Sequence, residues 1–294
     1  MDALLLQVVF GGLTAGSIYA MIALGFTLVY RTTTVINFAH GEFVMLGALI
    51  ATSLVMGLDL PVHLPLYVAV PLAILATAAI GVLAERLVVR PMRTQPPFVL
   101  ILITLGLSAV LSGAAMVRWG KDPLRLPAFS GEQSLTLGGA TILPQVLWIL
   151  AATVVTVGLL SLFLTRTTYG KALRACAENP SAASLVGIDV SSMIMLSFGL
   201  SAAIGGLAGV LIAPITAMDF QSGFLLAMKG LTGAIIGGLD RVAGVVIGAL
   251  LLGLIESFGA AYVSSLMKDA LAFVVLIVVL IWRPSGLLGG RAAR

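Results

Sequence analysis

Charge is what this chain has least of. Its 294 residues carry 16 Lys and Arg and 12 Asp and Glu, 10% charged in all, where soluble globular proteins hold about 25%. With 60% hydrophobic residues and a mean hydropathy of +1.16, the composition excludes an ordinary soluble domain and reads as an all-α polytopic membrane protein. Cysteine is nearly absent as well: Cys176 alone rules out an internal disulfide. Two histidines and one cysteine cannot supply a four-ligand zinc site. No Ser, His and Asp constellation and no dinucleotide fingerprint stands out. The segment GFLLAMKG, Gly223 to Gly230, has the outline of a phosphate-binding loop. Met228 occupies its required second glycine and Gly230 its required Ser or Thr, so it is not one. The chain is expected to hold no cofactor and no metal, and to move something rather than convert it. The formal charge of +4 does not point to nucleic acid, because the basic residues gather at segment ends as membrane topology demands.

What is there is a succession of apolar segments near the roughly 20 residues that cross about 30 Å of hydrocarbon. They run Ala3 to Tyr30, Val35 to Met56, Leu64 to Val89, Phe98 to Val117, Pro144 to Leu164, Met193 to Ala217, Phe224 to Leu239, Val242 to Phe258 and Ala270 to Trp282. They predict eight or nine transmembrane helices, the seventh segment being short enough to be re-entrant. No room remains for a soluble domain, so residues 1–294 are expected to form one transmembrane unit. The first segment is too long for a signal-peptide core and has Asp2 in place of a basic n-region, so it is expected to be retained. Basic residues orient the spans: Arg86, Arg90 and Arg93, then Arg166, Lys171 and Arg174, then Arg283, Arg291 and Arg294 should be cytoplasmic, with the N-terminus outside. Arg118, Lys121 and Arg125 fall on the opposite side, near Asp122 and Glu132. GxxxG pairs at Gly12/Gly16, Gly205/Gly209, Gly233/Gly237 and Gly244/Gly248 allow close helix approach.

Four polar features interrupt the apolar pattern. VINFAHGEFVMLGA, Val35 to Ala48, places Asn37, His40 and Glu42 at the mouth of the second span, beside a permissive Gly41. A broken helix lining a cavity and a helix end anchored at the interface are both open readings. Glu256 lies inside the eighth span, where an unpaired carboxylate is costly, and is expected to be paired or interface-facing in preference to binding solute. GGLDRVAG, Gly237 to Gly244, reads as a tight cytoplasmic turn carrying Asp240 and Arg241.

The largest polar feature is Thr165 to Ser192, TRTTYGKALRACAENPSAASLVGIDVSS. Tyr169 to Glu178 has helix-favouring composition. Asn179 stands in N-cap position before Pro180, and a second short helix should stop near Gly187. The pair is too polar to span a bilayer and predicts an elbow on the membrane surface. A transporter without a nucleotide site either uses an ion gradient or borrows an ATPase, and such a docking elbow favours the second.

That stretch resembles the cytoplasmic ATPase-contacting loop of permease subunits of ABC importers for branched-chain amino acids, the LivH type. The family form G-x-x-x-R-A-x-A-E-N-x-x-A-A-x-x-x-G-I is matched by Gly170, Arg174, Ala175, Ala177, Glu178, Asn179, Ala182, Ala183, Gly187 and Ile188. GLTAGSIYAMIALGFTLVY, VINFAHGEFVMLGA and RPSGLLG agree as well, so the resemblance covers nearly the whole chain. GGLDRVAG departs from it where a less charged turn such as GGLGSIPG is expected. The resemblance implies a second, related permease chain, two cytoplasmic ATPase subunits that bind ATP and Mg, and an extracytoplasmic solute-binding protein, in a bacterial inner membrane. The residues themselves suggest the coupling: in a groove of an ATPase subunit, Arg174 and Glu178 are expected to fix the docking angle while Ala175, Ala182 and Ala183 allow close approach. The resemblance implies leucine, isoleucine or valine as solute, and among the polar residues of the apolar runs Tyr19, Asn37 and Thr104 are candidate contacts for such a zwitterion. The rival reading is an ion-coupled transporter or channel in which His40 and Glu42 form a proton or cation relay.

Overall fold

The computed structural model describes residues 2–58, 63–131, 133–137, 139–264 and 268–289. Glu132, Arg291 and Arg294, used above in the charge reading, lie outside them. The described chain is almost wholly helical: α1 (Asp2–Thr33), α2 (His40–Met56), α3 (Leu66–Ala84), α4 (Pro97–Trp119), α5 (Pro144–Arg166), α6 (Thr168–Glu178), α7 (Pro180–Leu185), α8 (Val190–Ile212), α9 (Ser222–Gly237), α10 (Val242–Tyr262) and α11 (Lys268–Trp282). α3 continues through a π turn, Glu85–Val89, and a 3-10 turn, Arg90–Met92. α1, α3 with these turns, α4, α5, α8 and α10 are long and apolar enough to cross a membrane, whereas α2, α9 and the Ala272–Trp282 part of α11 are shorter.

The fold is all-α as expected, with one short hairpin outside the helices. Between α4 and α5, β1 (Leu135–Leu137) pairs antiparallel with β2 (Ala140–Ile142), Leu135 opposite Ile142. The hairpin docks on α1 through Gln7, whose Nε2 donates to the Thr141 carbonyl and whose Oε1 accepts from the Thr141 N–H, both at 2.9 Å. Alternation over so few residues is a weak signal in a chain dominated by long apolar runs.

These contacts sort the loops onto two faces. The face at the N-terminal end of α1 carries the hairpin and the segment after α4, where Leu124 bridges to Met218 and Arg125 Nε donates to the Pro214 carbonyl at 2.8 Å. The face at the C-terminal end of α1 carries the elbow and the end of α3, tied to the start of α8 by Arg93 donating to Ser191 Oγ at 3.1 Å. The turn after α9 lies there too, since Val242 at its end lines a cleft with Arg31 and Arg174, and the segment after α11 joins it where Leu287 N–H donates to the Ile236 carbonyl at 2.8 Å. The three basic groups expected to share a side do so in their described members.

Lipid supplies no hydrophobic force between helices, so they associate by close packing and polar contacts. α1 meets α10 where a Cβ on Gly12 or Gly16 would lie 2.8 Å from the Cα atoms of Leu254 and Leu250. α8 is buried nearly all round, from Met193 to Leu211. The large buried side chains Phe26, Phe43, Phe198, Met21 and Leu49 fill the space between α1, α2 and α8.

Candidate substrate pathway and coupling elbow

α4 shows how the interrupted helices are held. Thr104, Ser108 and Ser112 recur every four residues, hence on one face of a helix. Thr104 Oγ1 accepts from the Phe38 N–H at 3.2 Å, Ser108 donates to Glu42 Oε1 at 2.7 Å, and Ser112 donates to the Phe220 carbonyl at 2.6 Å. The ladder thus pins the residues that lead into α2 and α9. α2 begins only at His40, five residues later than the apolar pattern predicts, because Asn37 folds back to accept from the Ala39 N–H at 3.1 Å. Gly41 packs on Gly223, so the N-termini of α2 and α9 meet, with Glu42 against both. Each N-terminus carries a partial positive charge that favours this carboxylate. Asn37, His40 and Glu42 are 0–2% exposed, so the start of α2 lies inside the protein.

The five candidate pathway residues are not brought together. Asn37 and Thr104 line a cavity of about 140 Å³ with Thr32, Thr33, Arg93 and Phe198, toward the elbow face. Glu42 borders a different cavity, with Ser108, Ser112 and Phe224. His40 is wholly buried, its Nδ1 2.9 Å from Ser201 Oγ and its ring edge-on to Phe26. A side chain on Gly25 would collide with that ring. His40 and Glu42 face different partners and share no hydrogen bond among the described residues, so the geometry gives no relay between them.

Tyr19 belongs to a third group. Its hydroxyl donates to Glu256 Oε2 at 2.8 Å, while Lys229 Nζ bonds Glu256 Oε1 at 2.5 Å and stands 5.7 Å from the Tyr19 ring centre. Glu256 is therefore paired, as expected, and joins α10 to α1 and α9. Tyr19 and Lys229 lie at one end of a cavity of about 450 Å³ that extends to Gln7 and Thr141 at the hairpin face. Lys229 was not singled out from sequence. The usable signal was its position as a lone cation in an apolar run, opposite in sign to the buried Glu256.

The elbow forms as predicted. Thr167 Oγ1 accepts from the Gly170 N–H at 2.9 Å, and Asn179 Oδ1 accepts from the Ala182 N–H at 3.0 Å with Pro180 at the first helical position. α7 stops before Gly187, which takes the left-handed φ of 86°. A third cap was missed: Asp189 Oδ1 accepts from the Ser191 N–H at 3.0 Å to start α8. The Ser192 hydroxyl and these backbone donors hold the Asp189 carboxyl below the usual range. Gly170, Leu173 and Cys176 face inward and Lys171, Arg174 and Glu178 outward. Burial pushes the Cys176 thiol up, which keeps it protonated and unreactive.

Two docking expectations change. Ala183 is 3% exposed and packs the elbow onto the body instead of offering a surface. Arg174 lines a cleft with Arg31 and Val242, and Arg174, Glu178 and Asp240 all act electrostatically on Arg31. Asp240, the departure in the GGLDRVAG turn, is thus part of a charge cluster beneath the elbow. The exposed apolar tip, Leu185 at 88% and Val186 at 76%, carried no pattern that sequence reasoning would flag.

Long apolar helices packed through glycine, two shorter ones started inside the protein by polar contacts, and a capped polar elbow on one face define the class: a multi-pass membrane protein. A family model described as the permease component of the branched-chain amino acid transport system matches residues 8–280. The chain belongs to that family. It is 37% identical, over 97% of its length and 95% of the relative's, to the high-affinity branched-chain amino acid transport system permease protein BraD of Pseudomonas aeruginosa. It is 36% identical, over the same shares, to LivH of Escherichia coli K12, which carries the same description. The ribose import permease protein RbsC of E. coli is 26% identical over 90% of this chain and 82% of its own. No solved structure matches.

Proposed function

We propose that this chain is one permease subunit of an ATP-driven importer that carries branched-chain amino acids across the bacterial inner membrane. The observation that carries the reading is family membership over residues 8–280 together with an elbow whose tip is left exposed. Residues 1–294 act as one transmembrane domain with nine passes, the N-terminus outside, the short helices α2 and α9 completed by the segments leading into them. A second, related permease chain completes the channel and a solute-binding protein delivers the amino acid. Two cytoplasmic ATPase subunits bind ATP with Mg and hydrolyse it. This chain transmits that work and has no enzymatic step of its own.

The elbow, residues 165–192, seats on an ATPase subunit. Leu185 and Val186 enter an apolar groove, Ala182 allows close approach, and Glu178 with Lys171 sets the angle. Gly170, Asn179 and Gly187 give the elbow its shape, while Ala175 and Ala183 hold it to the body. Arg174 serves both sides, since it also faces Arg31. Closure of the ATPase pair moves the elbow, and the differential affinity of that pair for the two states supplies the energy.

The test is uptake of radiolabelled leucine into vesicles containing the whole complex and its binding protein. Uptake should require hydrolysable ATP and persist with a protonophore. Uptake that collapses with the proton gradient and ignores ATP would overturn the reading.

A further inference from the structure

We propose that the 450 Å³ cavity between α1, α5, α8 and α9 is a transit site for the imported solute, and that Lys229 receives its carboxylate. This rests on the import reading above. The cavity runs from Gln7 to Tyr19 along α1, a depth of about 18 Å at 1.5 Å per residue, so it leads from the outer face toward the middle of the bilayer. Its volume falls within the roughly 300–1,000 Å³ of small-molecule sites, unlike the 140 Å³ cavity beside Asn37.

The chemistry at its inner end suits an aliphatic amino acid. A lysine inside a span marks a function by default, and its partner is Glu256. Within this pair the Lys229 side chain is 20% exposed and Glu256 6%, so an arriving solute meets the cation. Tyr19 donates to the second Glu256 oxygen and fixes the anion that positions Lys229. The pair is neutral and a zwitterion is neutral, so loading the site brings no net charge into the membrane. Thr14 borders the same cavity, and its hydroxyl donates to the Phe10 carbonyl at 2.7 Å. Its oxygen is therefore left as an acceptor toward the cavity, as the solute's ammonium requires. Phe10, Ile212, Ile215 and Leu226 supply an apolar wall for the side chain.

The experiment uses the reconstituted complex with binding protein, ATP and radiolabelled L-leucine. Lys229→Gln should cut uptake at least tenfold, and Lys229→Arg should stay within threefold of wild type. Because Lys229→Gln leaves Glu256 buried without its cation, the neutral double variant Lys229→Gln/Glu256→Gln controls for folding. It should assemble with its partners and still import at least tenfold less. In a Cys176→Ala background, external thiol reagent should modify Ile215→Cys, and leucine-loaded binding protein should slow that labelling. Uptake by the double variant within twofold of wild type would make the pair mere helix glue and overturn the proposal. Labelling of Ile215→Cys indifferent to leucine would overturn it also. A wild-type complex that fails to import leucine with ATP would bring down the import reading first, and this site with it.

Discussion

α5 and α8 are both 23 residues long and both apolar, and the elbow joins one to the other, yet they are held in opposite ways. Of an 18-residue apolar stretch, 72% is buried in α8 and 17% in α5. α5 touches the body along a single ridge, Gln145, Ile149, Thr153, Thr156, Leu160 and Leu164, at the three- and four-residue spacing of one helix face. Beyond its Gln145 anchor to the Leu211 carbonyl, it presents Val154, Val155, Leu159 and Leu162 outward. α8 is wedged by backbone contact: Gly209 lies against the Val44 carbonyl and Gly206 against Thr77. A force on the elbow meets one helix held deep in the core and one that touches this chain along a narrow ridge, so α5 is expected to move more than α8.

The largest expected effect breaks this comparison at two glycines. Gly209→Leu has no room beside Val44. It should cost at least the upper end of the ~1–3 kcal/mol typical of overpacking and sharply lower the yield of assembled complex. Gly158→Leu meets nothing within 4 Å and should assemble at least as well as wild type, since a helical glycine costs about 1 kcal/mol against good helix formers. Thermal stability in detergent separates the two, and equal losses would remove the asymmetry.

Next is the corner. A Cβ on Gly170 would overlap the Phe163 carbonyl and approach Leu164 Cα at 2.6 Å, so Gly170→Ala should pry α6 from α5. Leucine uptake should fall about tenfold while the complex still assembles, because the site of damage is the linkage and not the core.

A smaller effect is expected at Asn179→Ala, which removes the α7 cap for about 1 kcal/mol. Amide exchange in 180–187 should rise several-fold, with no change in α8. The smallest concerns pH. The Asp189 carboxyl has its pKa lowered in the folded chain. Its contribution is present above the unfolded value near 3.9 and is lost only as pH falls through the lower folded value. Amide exchange at the start of α8, corrected for intrinsic rates, should then be flat between pH 5 and 8.

Much of this was legible in sequence where local rules decide. Asn179–Pro180 and Gly187 marked the ends of α7 because capping depends on neighbouring residues. The long spans were legible because length and hydropathy determine them. What needed the tertiary fold was which polar groups meet. Tyr19, Asn37, His40, Glu42 and Thr104 look alike as polar residues in apolar runs, yet they separate into different cavities and a buried core. Lys229 and Glu256, 27 residues apart, become one pair only when α9 and α10 lie side by side. Ala183 has the same local appearance as Ala182, and only packing turns one inward.

The most direct test measures distances by spin labels in a Cys176→Ala background. Labels at Val155 on α5 and Leu251 on α10 follow α5, and labels at Leu75 on α3, whose Thr77 packs on Gly206 of α8, and Leu251 follow the side of the bundle held to α8; all three positions are exposed. Trapping the ATPase pair with ATP should shift the Val155–Leu251 distance by several ångströms and leave Leu75–Leu251 unchanged. A constant Val155–Leu251 distance, or equal shifts in both pairs, would contradict the account.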